Sequence, residues 1–142
     1  MEIKEIKINP IDLNDNVAVG LKLPFVGASN SFFALNYTTL DQIKTNFRNL
    51  LLTEKGERFM MPDYGMGLRK FIFDANSGQT WSNIDSHIRS TTSKWMPSIT
   101  INTIDVFQDE RNKNLLSIHI EFQTTLNSSI SETMDIDFQL TK

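Results

Sequence analysis

The sequence predicts an α+β domain in which two main helices pack on an antiparallel sheet of three to four strands. Three observations carry that prediction. Leu116, Ile118, Ile120, Phe122, Thr124 and Leu126 alternate without a break, as do Met134, Ile136, Phe138 and Leu140, the period of strands with one buried face. Leu40, Ile43, Phe47, Leu50 and Leu51, and later Trp81, Ile84, Ile88 and Trp95, recur at helical spacing. The strand segments sit together at the end of the chain, joined by short polar turns, so they read as a meander whose apolar face the helices cover.

Taken in order, residues 1–8 intersperse charge with Ile and read as a short strand or extended arm. Pro10 and Asn14-Asp15-Asn16 break it, so residues 1–17 are expected to form an extended N-terminal arm on a single domain of 142 residues. Gly20-Leu21-Lys22-Leu23-Pro24-Phe25 reads as extended, with Pro24 disfavouring a central strand position. Gly27 to Asn30 is a loop, and Ser31 to Leu35 a brief strand.

Thr39-Leu40-Asp41-Gln42 has the form of a capping box, opening a helix over 40–52 that carries Lys44 and Arg48 on its polar face. The helix ends near Thr53, where Gly56 can supply a positive-φ turn. Pro62, Gly65 and Gly67 keep the following stretch irregular, and Leu68 to Phe73 allows a short helix. The second helix spans about 79–95 and stops before Pro97.

Ile99 and Ile101 alternate, but Ile104 and Val106 continue on the opposite parity, which predicts a bulge near Asn102-Thr103. Asp109 to Asn114 and Asn127-Ser128-Ser129 are the expected turns. The opposite face of the sheet carries His119, Glu121, Gln123, Asp135, Asp137 and Gln139. The last strand reads as an edge, open to augmentation by another chain. As an edge it is expected to be removable: deleting 135–142 should leave the fold largely intact.

Bulk properties exclude several classes. A chain of this size buries roughly 68–70% of its unfolded surface, enough for a core without staples. There is no cysteine, which excludes disulfides, thiolate catalysis and Cys-based metal sites. Two histidines, His87 and His119, are too few for a His-rich zinc site. The net charge of −3 lacks the concentrated basic face of a nucleic-acid binder. Residues 41–70 carry six Lys/Arg against four Asp/Glu, and residues 105–142 three against seven, a polarity suited to protein docking. No apolar run approaches the roughly 20 residues of a bilayer span. The N-terminus lacks the apolar region of a signal peptide, so the expected place is the cytoplasm or a particle assembled there.

The charged loop admits two chemistries. Glu54, Glu57, Asp63 and Asp74 could supply the two carboxylates of a glycosidase, a pair that must flank the bond at about 5–9 Å. Against that, Glu57-Arg58 reads as a structural ion-pair cluster, with Arg58 a planar fork for carbonyls or a carboxylate, and Glu54 and Glu57 facing Lys55, Arg58 or Arg69. The glycines do not form a phosphate cradle. His87 lies at the margin of a helical stripe and His119 on a polar strand face, neither with an evident partner set. No nucleophile elbow occurs. No catalytic, metal or cofactor residue is assigned.

One run is specific. Leu51-Leu52-Thr53, then Gly56-Glu57-Arg58, Pro62, Gly65, Gly67-Leu68 and Phe73 resembles, in order and spacing, the gene-twenty-five-like family of baseplate wedge subunits of contractile phage tails. That family includes the corresponding subunit of type VI secretion baseplates and has been described as lysozyme-like. Gly20-Leu21-Lys22-Leu23-Pro24-Phe25 resembles its glycine-leucine-x-aromatic-proline-phenylalanine entry segment, with Leu23 in the aromatic place. The resemblance covers roughly residues 18–100. It departs after the second helix, where the family has glutamate-proline-arginine and this chain has Met96-Pro97-Ser98; only the proline matches.

The resemblance implies a non-enzymatic assembly protein of the virion tail baseplate. Its implied partners are other baseplate wedge proteins, tail sheath subunits, and the tail tube or hub, with no nucleic acid, membrane or cofactor. The implied sheet starts sheath assembly by offering its edge to the first sheath ring. On this reading Glu57, Arg58, Pro62, Gly65, Gly67, Trp95, Met96 and Pro97 dock on partners, and Met134, Ile136, Phe138 and Leu140 form the sheath-contact strand. The alternatives are a peptidoglycan glycosidase, a subunit of a type VI or other contractile injection system, and a strand-binding module of another kind.

Overall fold

A computed structural model describes residues 9–23, 33–72, 78–108 and 115–139. The 1–8 arm, Pro24-Phe25, the Gly27–Asn30 loop, Phe73, Asp74, the Asp109–Asn114 turn and Leu140 lie outside the described residues.

The elements run β1 (Gly20–Leu21), β2 (Leu35–Asn36), α1 (Thr39–Leu52), α2 (Arg69–Ile72), α3 (Gly78–Trp95), β3 (Ile99–Gln108), β4 (Leu115–Thr124) and β5 (Asn127–Gln139). β3, β4 and β5 form an antiparallel meander in that order, and β1 and β2 form a separate two-stranded ribbon. The fold is therefore α+β, with three strands in the main sheet among the described residues.

Strand parity places the core. On β4, Leu116, Ile118, Ile120, Phe122 and Thr124 are all buried. Register extends this face across the sheet: Val106, Ile118 and Ile136 form one row, and Ile104, Ile120 and Met134 the next. The predicted bulge is present, as a register shift between Ile101 and Thr103. The second turn lies earlier than expected. Thr124 pairs with Asn127 across Thr125-Leu126, and Asn127 to Ser129 already belong to β5. Leu126 keeps the apolar parity of β4, so alternation alone could not show where that strand ends.

Both helices cover the apolar face. Phe47, Leu50 and Leu51 of α1 are fully buried, and the Phe47 ring meets Phe122 edge-on at 5.0 Å. Burying each such side chain stabilises by about 1.5–3 kcal/mol. Ile84 and Ile88 of α3 join the same cluster, while Trp81 and Trp95 pack at its margin. Thr80, Thr91 and Thr92 are buried too, a small-polar seam that the hydrophobic stripe does not announce.

The capping box is displaced by one residue. Thr38 is the N-cap and its Oγ1 accepts from the Asp41 N–H at 3.2 Å, while its hydroxyl donates to Asp41 Oδ2 at 2.7 Å. Thr39 instead donates through its N–H and hydroxyl to Asp12 Oδ1, at 2.8 and 2.7 Å. Asp12 sits in a 3-10 turn, Pro10–Leu13. Residues 9–17 are thus not simply extended: they hold a turn tied to the start of α1, where a carboxylate complements the helix dipole.

Buried Asn36 ties the small ribbon to α1, with its amide within hydrogen-bond reach of Leu21 O, Gln42 Oε1 and Thr45 Oγ1. Gly20 lets Gln42 lie this close, because a Cβ there would meet Gln42 Oε1 at 2.0 Å.

Candidate docking surfaces

The 53–67 loop is folded, not loose. Thr53 ends α1 by donating its N–H to Asn49 O at 3.0 Å and its hydroxyl to the same oxygen at 2.6 Å. The chain then leaves and returns. Met66 N–H donates to Leu50 O and Thr53 O, and Gly67 N–H to Thr53 O. Those carbonyls belong to the helix end, where partners are otherwise lacking. On the return, Met66 and Leu68 enter the core.

The excursion itself is stapled. Gly56 N–H donates to Pro62 O at 2.7 Å, Met61 N–H to Arg58 O at 3.1 Å, and Tyr64 N–H to Met61 O at 3.0 Å. Two of the three loop carboxylates serve the backbone. Glu57 Oε2 accepts from the Glu54 N–H at 2.9 Å, and Glu54 Oε1 from the Arg69 N–H at 3.3 Å. This corrects the expected ion-pair cluster. Among the described residues the salt bridges are Lys44–Glu132, Arg89–Asp85 and His119–Asp135, none of them in the loop.

Arg58 has a different partner: its guanidinium stacks on the Tyr64 ring at 3.8 Å. Tyr64 in turn meets Trp95 edge-on at 5.2 Å, and Lys94 lies 5.0 Å from the Trp95 ring centroid. Such cation–π and aromatic contacts each contribute about 0.5–1.5 kcal/mol. The stack joins two groups of predicted docking residues, Arg58 in the loop and Trp95 at the end of α3. Tyr64 is the link that sequence reasoning missed. Met96 N–H donates to Thr92 O and Ile99 N–H to Met96 O, so Met96-Pro97-Ser98 is a tight turn from α3 into β3, with Pro97 exposed.

What the loop presents is apolar. Phe59 is 95% exposed and Met60 86%, with Met61 and Leu52 also exposed. An exposed Phe-Met-Met run on a hydrogen-bonded turn is a pre-organised knob, and contiguous exposed apolar surface of this kind marks interaction sites.

His87 secures the loop from the other side, with Nε2 donating to Met66 O at 2.7 Å and the ring packed near Phe71 at 5.2 Å. Burial pushes its pKa below the usual value, partly opposed by the Met66 hydrogen bond and assisted by Lys70 and Lys55. His119 faces Asp135 across β4 and β5 and bonds it through Nδ1. That bond, with the charges of Asp135, Asp105 and Glu121, raises its pKa.

The two histidines therefore act on stability in opposite senses. The His87 contribution is present above about pH 6.5 and lost as pH falls towards its lowered folded value. The His119 contribution is present below about pH 6.5 and lost as pH rises through its raised folded value, and it is small because the pair is exposed. In an NMR titration the His119 midpoint should lie above that of His87, and Asp135→Asn should bring His119 down without moving His87.

Met134, Ile136 and Phe138 lie in the core, so their side chains face away from any partner. Among the described residues β5 nonetheless has β4 on one side only. A contact along this strand would be made by its backbone and by the outward Thr133, Asp135 and Asp137. The other edge, β3, is obstructed at its bulge, where Arg89 donates to Ile101 O at 2.8 Å and Asn102 O at 3.4 Å.

Among the described residues no group of three or more His, Cys, Asp or Glu side chains is placed to hold a metal ion. No described helix is long and apolar enough to cross a membrane.

A family model described as baseplate wedge protein gp25 matches residues 38–129. No curated protein matches the sequence. Among solved structures, a protein described as a tail lysozyme from Geobacter sulfurreducens aligns with a TM-score of 0.65 and 24% identity, over 74% of this chain and 94% of that one. A chain of the anti-feeding prophage baseplate aligns with a TM-score of 0.56 and 18% identity, over 84% and 82%. At these identities the likeness is one of fold.

Proposed function

The chain belongs to the family of baseplate wedge protein gp25, and on that premise we propose that it is a structural, non-enzymatic wedge subunit of a contractile tail that docks on other wedge proteins and starts sheath assembly. The observation that carries this reading is the Phe59-Met60-Met61 knob. A Phe left 95% exposed on a turn held by backbone hydrogen bonds makes sense as an anchor for a partner's apolar pocket, because pre-organisation lowers the ordering cost of binding.

The docking surface comprises the knob, the loop positions Glu57, Arg58, Pro62, Gly65 and Gly67, and the neighbouring turn Trp95-Met96-Pro97. The outer β5 edge, unpaired among the described residues, faces the sheath, whose first ring adds a strand to it. The protein acts in the tail baseplate, assembled in the host cytoplasm, with wedge proteins, sheath subunits and the tube or hub as partners.

The glycosidase alternative gains no support from the geometry. Glu54 and Glu57 each hold a backbone N–H group, and neither the α3–β3 groove nor the α1–β5 groove is lined by them. The phage-tail reading also extends to other contractile injection systems, which use the same kind of wedge.

Replacing Phe59 and Met60 together by Asp should leave the melting temperature unchanged, since neither side chain is buried. It should abolish co-purification with the wedge proteins of the same particle. Retained co-purification would remove the knob from the interface, and turnover of peptidoglycan lost in Glu57→Gln would replace the assembly reading by the enzymatic one.

A further inference from the structure

A groove of about 390 Å³ opens between α1, the β1–β2 ribbon and the β5 edge. Lys22, Asp41, Lys44, Arg48, Thr133 and Asp135 line it. Its carboxylates are engaged: Asp41 by the Thr38 hydroxyl at 2.7 Å, and Asp135 by His119. Lys44 is engaged too, by Glu132 at 2.7 Å. Among the described residues two cations of the groove are left over. Lys22 is exposed, but Arg48 is half-buried, and its Nε is fully buried with no hydrogen-bond partner.

One N–H of this guanidinium, at Nε, is withdrawn from water without a partner, which is costly, while the side chain as a whole stays partly exposed beside the groove. Its fork is shaped for two parallel bonds to a carboxylate. The groove runs beside Thr133 to Asp135 on the edge where, on the reading above, a strand is added. We propose that Arg48, assisted by Lys22, receives an Asp or Glu side chain carried by the segment that pairs with β5, so that the incoming strand is selected by a carboxylate at one register position. A carboxylate there fixes register, which backbone pairing alone specifies weakly.

This inference rests on strand addition at β5, and the test separates the two. The full chain and the sheath subunit of the same particle are mixed, affinity is measured, and hydrogen exchange is read over residues 130–139. Arg48→Met keeps the aliphatic bulk and removes the charge. It should raise the melting temperature of the isolated protein by a few degrees while weakening sheath binding about tenfold or more. Arg48→Lys should recover only part of the affinity, because it keeps the charge without the fork. Arg48→Glu should be rescued by an Asp or Glu to Lys change within the sheath segment that protects β5.

Unchanged affinity in Arg48→Met, with β5 still protected, overturns the carboxylate site and leaves strand addition standing. A lower melting temperature in Arg48→Met shows that the guanidinium is already satisfied within the chain, and overturns the proposal. Absence of β5 protection in the unaltered protein overturns both.

Discussion

Gly65→Ala is expected to be the most damaging conservative change in the chain, costing about 3 kcal/mol or more and lowering the melting temperature by about 10 °C. Gly65 has φ +116, a region that side chains rarely enter. Space is lacking as well: a Cβ there would stand 2.6 Å from Thr53 O and 3.0 Å from Glu54 O. Both are backbone atoms at the end of α1, so no rotamer change relieves the clash. The chain at this point must pass close to the helix terminus for Met66 and Gly67 to donate to Thr53 O. Displacing it would withdraw Met66 from the core and break the His87 hydrogen bond.

Gly56 is the control. It also has positive φ, +85, but a Cβ there meets nothing within 4 Å. Gly56→Ala should cost about 1–2 kcal/mol, the conformational share alone. Thermal melts of the two variants isolate the contribution of close approach, and equal losses would refute it.

These two glycines show what sequence can and cannot disclose. The loop was legible because Pro62, Gly65 and Gly67 break every periodic pattern, and its likeness to a family rested on those same residues. The sheet was legible because parity maps directly onto burial: Leu116 to Phe122 alternate in sequence and in the structure alike. The bulge followed from a change of parity, which only an inserted residue can produce.

Other features had no one-dimensional signal. Arg58 was expected to pair with a carboxylate because Glu54 and Glu57 are its neighbours in sequence. In three dimensions those carboxylates cap nearby N–H groups, and the guanidinium finds Tyr64. Arg48 and Lys44 look equivalent on a helical wheel, yet one is bridged to Glu132 and the other is left without a partner. The exposed knob has no sequence signal, since a Phe and two Met beside a helix look the same in sequence whether buried or exposed.

The last strand is where a sequence expectation and the structure part most sharply, and deletion of residues 135–142 is expected to unfold the protein. An edge strand is not for that reason dispensable. β5 is an edge only in the hydrogen-bonding direction; perpendicular to it, the side chains close the core. Ile136 is 2% exposed and Phe138 7%, and they stand beside Ile118 and Leu116 of β4 on the same face of the sheet. Losing their burial removes about 3–6 kcal/mol, before counting the ladder bonds and the newly exposed face of β4. Domain stability is only about 5–15 kcal/mol. Circular dichroism of the truncated chain should show loss of cooperative melting, and a truncation that melts normally would remove β5 from the core. Truncation therefore cannot test sheath contact, because it destroys the domain that makes the contact. A proline scan over residues 131–137 can. Where the replaced N–H points away from β4, proline should leave the fold intact and block strand addition; at the alternate positions it should cost stability. An alternating pattern in stability, with sheath binding lost at the tolerated positions, would separate the two roles of one strand.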